Sequence, residues 1–193
     1  MSWLRVNRAV LPVLRSHGQG TIVYVGSTTT YIPEPFIGVY EASKAAGDAL
    51  ARAMALEIRP FGIESLFLVP GAFPVGTEHF ADAHSGDDLE RNAPYAALTE
   101  RLQALTTRIE TIDREEGLGL TVKSVGEQLV KALRSGDETD HVFIDGQRKG
   151  GEEIAALTGR VQSRFVQRLG FGDLLPKRRS QMPPSEEGKP LEH

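Results

Sequence analysis

Thr21-Ile22-Val23-Tyr24-Val25-Gly26-Ser27 is the stretch on which the reading of this chain turns. A run of β-branched and aromatic residues without polar alternation is the pattern of a strand buried on both faces, and Gly26-Ser27 closes it. On its amino side, Trp3, Val6, Val10, Val13 and Leu14 recur at helical spacing from Trp3 to Arg15, against which only Pro12 speaks. Gly18 and Gly20 end that helix, whose start can lie before Met1. On the carboxyl side a loop rich in Thr and Pro runs through Pro33 and Pro35. A second helix is predicted from Tyr40 to Ile58, with Pro60 and Gly62 as its stop. Ile63 to Val69 is a second buried strand, ended by Pro70-Gly71.

Further out, residues 73–120 form a long excursion with one convincing helix near Tyr95 to Ile112. Val122 to Arg134 is an amphipathic helix, His141 to Asp145 a third strand, and Glu152 to Leu169 a last helix. That last helix carries Ile154, Leu157, Val161, Phe165 and Val166 on one side. Strands alternating with helices imply an α/β fold with a parallel sheet of three strands. Residues 1–175 are expected to form one domain and residues 176–193 a flexible tail, with Leu191-Glu192-His193 reading as the start of an appended tag.

Of the 193 residues, 40% are apolar and 25% charged, which is enough for one packed core and excludes wholesale disorder. A net charge of −4 exerts no general pull on nucleic acid. There is no apolar run of membrane-spanning length and no signal-peptide core in residues 1–8, so no membrane partner and a cytoplasmic location are expected. The absence of cysteine excludes disulfides, thiolate metal sites and a thiol nucleophile.

Three features carry chemistry. Ser27 lies just past the first strand, Tyr40 and Lys44 are one helical turn apart, and Pro70-Gly71 ends the second strand. In a parallel α/β sheet, ligands collect outside the carboxyl ends of the strands, where Ser27 and Pro70-Gly71 fall. A phenol is a poor base at neutral pH, and an ammonium one turn away favours its phenolate form. A serine hydroxyl nearby can hold a carbonyl oxygen beside that phenol, so a proton can pass to it while a cofactor moves hydride at the carbon. Singly, each feature has a bland reading: a solvated helix face, a cap, a turn.

Together, Thr21 to Ser27, Tyr40-Glu41-Ala42-Ser43-Lys44-Ala45-Ala46 and Val69-Pro70-Gly71 resemble the short-chain dehydrogenase/reductase family, including its spacing of thirteen from Ser27 to Tyr40 and four to Lys44. Arg8-Ala9-Val10-Leu11-Pro12 also looks like the end of that family's helix before the serine strand. The resemblance implies a partial Rossmann-like sheet, Tyr40 as acid/base, Ser27 as the substrate-oxygen donor, and Lys44 on the nicotinamide ribose. Pro70 and Gly71 are implied to lie against the nicotinamide. The cofactor is implied to be NAD or NADP and the substrate an alcohol or ketone. Lys44 argues against the related halohydrin dehalogenases, which have arginine there.

The resemblance breaks at the cofactor's phosphates. No G-x-x-x-G-x-G occurs, and neither Gly117-Leu118-Gly119 nor Gly170-Phe171-Gly172 opens a helix after a strand. The first four strands of the family's sheet are therefore expected to be cut away, so this chain alone should hold the cofactor weakly. The family's catalytic asparagine falls at or ahead of Met1, and Asn7 stands too close to Leu11-Pro12 to replace it. Where the family places a threonine after Pro-Gly, this chain has Val75. Thr77 is the nearest hydroxyl and is equally well a cofactor contact or an ordinary loop residue.

His79, Asp82, His84, Asp87 and Asp88 fit no zinc spacing and read as a solvated loop, so no metal is expected. Phe73, Phe80 and Tyr95 are expected to line a substrate pocket or pack its lid. The leading expectation is an NAD(P)-dependent oxidoreductase. The other reading is a non-catalytic fragment serving as a structural or interaction subunit. A homo-oligomer is expected through the helices around residues 3–15 and 40–58, which form the main dimer interface in the resembling family.

Overall fold

A computed structural model describes residues 2–71, 89–115, 121–135, 141–144 and 148–175. Helix α1 spans Ser2–His17, strand β1 Gly20–Val25, helix α2 Gly38–Ile58 and strand β2 Ile63–Pro70. Helices α3 (Leu89–Asn92), α4 (Ala96–Glu115) and α5 (Val122–Ser135) lead to β3 (His141–Ile144) and α6 (Arg148–Arg168). The three strands form one parallel sheet in the order β1-β2-β3, an α/β architecture of the Rossmann type. Most predicted elements are present with ends shifted by a few residues. Pro12 lies inside α1 without stopping it.

The register places Tyr24 beside Phe67 and Phe67 beside His141. Their rings stack across all three strands, with centroids 5.3 and 4.7 Å apart. This face is buried beneath Ala51 of α2 and Ala155 of α6, with Trp3 of α1 against it. On the other face Leu68 and Ile144 meet Val125 and Leu129 of α5. Each fully buried large apolar side chain contributes about 1.5–3 kcal/mol, so a sheet covered on both faces by so few residues is still a sizeable core.

Two glycines set close approaches. Gly62 turns the chain from α2 into β2 at φ +74°, and a Cβ there would sit 2.1 Å from the Gly18 carbonyl oxygen, so no other residue fits. Gly151 lets α6 press onto β3, since a Cβ would come within 2.5 Å of the Phe143 ring.

The structure corrects the reading of α6. Of its apolar side, only Val166 is buried; Ile154, Leu157, Val161 and Phe165 are exposed. The face turned to the sheet is the one with Gly151 and Ala155. Among the described residues β1 pairs with β2 alone and so stands at an edge of the sheet.

Candidate active site

The carboxyl ends of the three strands are tied to one another. Gly26 N–H donates to Leu68 O at 2.8 Å, and Gly71 N–H to Ile144 O at 3.1 Å. Pro70 and Gly71 therefore stand at the same edge of the sheet as Ser27. Ser27 leaves β1 with extended backbone and caps a single 3-10 turn, Thr28–Thr30. Its Oγ accepts from Thr29 N–H at 3.4 Å and from Thr29 Oγ1 at 3.0 Å. Among the described residues Thr29 is thus the hydrogen-bond partner of the Ser27 hydroxyl.

Tyr40 and Lys44 share the first turns of α2, beside that edge. Lys44 Nζ donates to Val25 O at 3.4 Å and stands 5.7 Å from the centre of the Tyr40 ring. The lysine thus bridges the end of β1 and the phenol, while Tyr40 remains 36% exposed and open to a ligand. The approach to α2 is held by Glu34 N–H, which donates to Glu41 Oε1. Phe36 in this approach adopts φ +75°, a conformation costly for a residue with a side chain, and projects into solvent. Thr77, Val75, Phe73, Phe80 and the histidine–aspartate group at 79–88 lie outside the described residues. Tyr95 is exposed.

Asn7 belongs to the core. It is 2% exposed, and its Nδ2 donates to Tyr24 Oη at 2.9 Å and to Met54 Sδ at 3.4 Å. Burial raises the Tyr24 pKa, and the bond from Asn7 offsets part of that. The amide is spent there, on the face of the sheet covered by α1 and α2.

Sequence reasoning missed a polar cluster behind the site. Arg52 Nε bonds the buried Asp48 carboxylate at 2.5 Å, and its Nη2 donates to Tyr31 Oη. The guanidinium also lies over the rings of Tyr31 and Phe67. Tyr31 immediately follows the turn that Ser27 caps, and its N–H donates to Thr28 O. Burial first, then the Asp48 charge, push the Tyr31 phenol up to about 12 against the influence of Arg52, so it stays protonated. The signal was in the sequence: Tyr40, Lys44, Asp48 and Arg52 recur every fourth residue on α2.

A cleft of about 740 Å³ opens elsewhere, at the amino end of β3, where His141, Phe67, Arg59 and Gln128 are among its lining residues. None of Ser27, Tyr40, Lys44, Pro70 or Gly71 lines it. It lies at the wrong end of the strands for the usual ligand site of such a sheet.

Residues 1–87 match a sequence model described as short chain dehydrogenase. Over that stretch, a little under half of its length, the chain is similar to the short-chain dehydrogenase/reductase family. It is similar to a 3-ketodihydrosphingosine reductase of Bacteroides thetaiotaomicron, 30% identical over 127 residues, which are 65% of this chain and 44% of that protein. It is also similar to an NADPH-dependent 3-dehydrocapnine reductase of Ornithobacterium rhinotracheale, 29% identical over 107 residues, or 55% of this chain and 35% of that one. The chain thus spans less than half the length of these curated relatives. A solved short-chain dehydrogenase from Streptomyces avermitilis superposes with a TM-score of 0.51 at 20% identity, covering 88% of this chain and 57% of that one. That likeness supports the fold.

Proposed function

We propose that this chain carries the catalytic centre of an NAD(P)-dependent oxidoreductase that moves hydride between a nicotinamide and an alcohol or ketone. The observation that carries the proposal is Lys44 held between the Val25 carbonyl and the Tyr40 ring, at the strand edge that Ser27 closes. A nicotinamide cofactor supplies the hydride when bound. Lys44, already directed at this edge, is suited to a ribose hydroxyl, and Pro70 and Gly71 present backbone and ring to the nicotinamide face. Thr77 is a further candidate contact. The residues present fit the nicotinamide end of such a cofactor; the glycine-rich turn for its diphosphate has no counterpart in the sequence.

The proton chemistry follows from the same residues. Ser27 donates its hydroxyl proton to the substrate oxygen and orients it. Tyr40 then delivers its phenolic proton to that oxygen as negative charge develops, and takes a proton back in the oxidative direction. Lys44 stabilises the phenolate by its charge. The relatives are named as reductases, one of them NADPH-dependent, and this makes ketone reduction with NADPH the first reaction to assay.

A second reading is a non-catalytic short-chain dehydrogenase piece acting as a structural or interaction subunit. The two are separated by a longer chain in which a glycine-rich cofactor half precedes residue 1. In that chain Tyr40→Phe is expected to abolish ketone reduction without altering the circular dichroism spectrum. Ser27→Ala is expected to cost about two orders of magnitude in turnover. Near-normal turnover of the Tyr40→Phe protein would remove Tyr40 from the mechanism.

A further inference from the structure

The apolar side of α6 is not used by the core. Ile154, Leu157, Val161 and Phe165 follow one another at helical spacing and are between 40% and 61% exposed. Leu169 and Phe171, just past the helix, are each 53% exposed. A monomeric protein rarely leaves so many large apolar side chains contiguous in water without a partner. One flank of this stripe is a row of arginines, Arg160, Arg164 and Arg168, each one turn from the next and all exposed. None of the three makes an ion pair among the described residues. The other flank runs into the buried face that contains Ala155 and Val166.

We propose that α6 docks this protein on an anionic lipid surface, with the stripe from Ile154 to Phe165 sunk into the headgroup–acyl boundary. An apolar stripe edged by cations is the pattern of a helix that lies in the interface plane. The arginine guanidinium fits phosphate oxygens with two parallel bonds, and its stem stays in the apolar layer while its head reaches up to them. Among the described residues no helix is long and apolar enough to cross a membrane, so the contact runs along the surface.

Two features favour lipid over protein. The helix's glutamates, Glu152 and Glu153, lie near its start, so a second copy packed antiparallel would bring only two carboxylates toward the three arginines. Strands added ahead of β1 would join the edge of the sheet opposite β3, the strand on which α6 sits. A bilayer with anionic headgroups supplies both the hydrocarbon and the phosphates. This inference goes beyond the proposed oxidoreductase activity and does not depend on it.

The test is co-sedimentation of the full chain with vesicles of phosphatidylcholine alone and of phosphatidylcholine mixed with phosphatidylglycerol. Binding is expected to the mixed vesicles, much less to the neutral ones, and to weaken as salt rises. Replacing the three arginines together (Arg160→Gln, Arg164→Gln, Arg168→Gln) is expected to lower partitioning about a hundredfold. The pair Leu157→Glu and Phe165→Glu should abolish it with an unchanged circular dichroism spectrum, because both side chains are exposed. Absence of binding to the mixed vesicles, or equal binding of all variants, overturns the proposal. So does a halved particle mass for the Leu157→Glu, Phe165→Glu protein in light scattering, which would assign the stripe to a second copy of the chain.

Discussion

Asp48 and Arg52 lie on the helix of Tyr40 and Lys44 and hold Tyr31 next to the turn that Ser27 caps. Their side chains are 13% and 15% exposed, so removing one partner strands a charge in a poorly hydrated place. Arg52→Met is expected to destabilise the fold by about 3 kcal/mol, and Asp48→Leu with Arg52→Met by distinctly less. Urea unfolding of both variants measures this, and equal losses would mean that the pair is not coupled. His141 gives a pH signature. Burial first, then the charge of Arg52, push its pKa down to about 3, while the unfolded chain takes the proton near 6.5. Its contribution to stability is therefore complete above pH 6.5 and is lost as pH falls from 6.5 toward 3, at no more than about 1.4 kcal/mol per pH unit. His141→Phe, which keeps a ring over Phe67, is expected to flatten this dependence between pH 7 and 4.5. An unchanged slope in urea midpoints would exclude His141 as its source.

At the scale of elements, α1 and α2 cover one face of the sheet and leave their outer sides open. Val6, Val10 and Val13 of α1 are exposed. So are Ala42, Ala45, Ala46, Ala49 and Ala53 of α2, small residues that let another helix approach closely. An isologous four-helix contact between two copies is the arrangement this surface suits. Light scattering at micromolar concentration is expected to give about twice the 21.1 kDa of one chain. Ala46→Arg with Ala49→Arg should reduce it to one, and a clean single-chain mass for the unaltered protein would sink the dimer. The edge of β1, unpaired among the described residues, short and without charge, is the other route to association.

For the whole molecule, what matters is how much of a nucleotide-binding sheet these strands make. On the proposed reading a nicotinamide would meet Tyr40 at the carboxyl ends of these strands, while the sequence holds no glycine-rich turn that would set a diphosphate on a helix start. Phosphates and adenosine normally contribute much of a dinucleotide's affinity. Titration calorimetry of the chain alone with millimolar NADH or NADPH is therefore expected to show little heat. A micromolar dissociation constant would mean that the phosphates have a receptor elsewhere, and the cleft beside His141 would be the first place to look.

The three parallel strands, the helices between them, and the placing of Tyr40 and Lys44 on one face of α2 were legible from residue pattern. Strand runs and helical spacing are local properties, and residues four apart on a helix share a face whatever surrounds it. The helix predicted across Pro12 is present, with Asn7 and Leu11 of α1 buried on its inner side. Which side of α6 meets the sheet was not legible. Periodicity pointed to the large residues from Ile154 to Phe165, yet the approach to the Phe143 ring admits only Gly151 and Ala155. The clamp of Arg52 on Tyr31 was equally hidden, since twenty-one residues separate them and only the folded sheet brings them together. Pattern measures how apolar a surface is; the space left by neighbouring side chains decides which surface is buried.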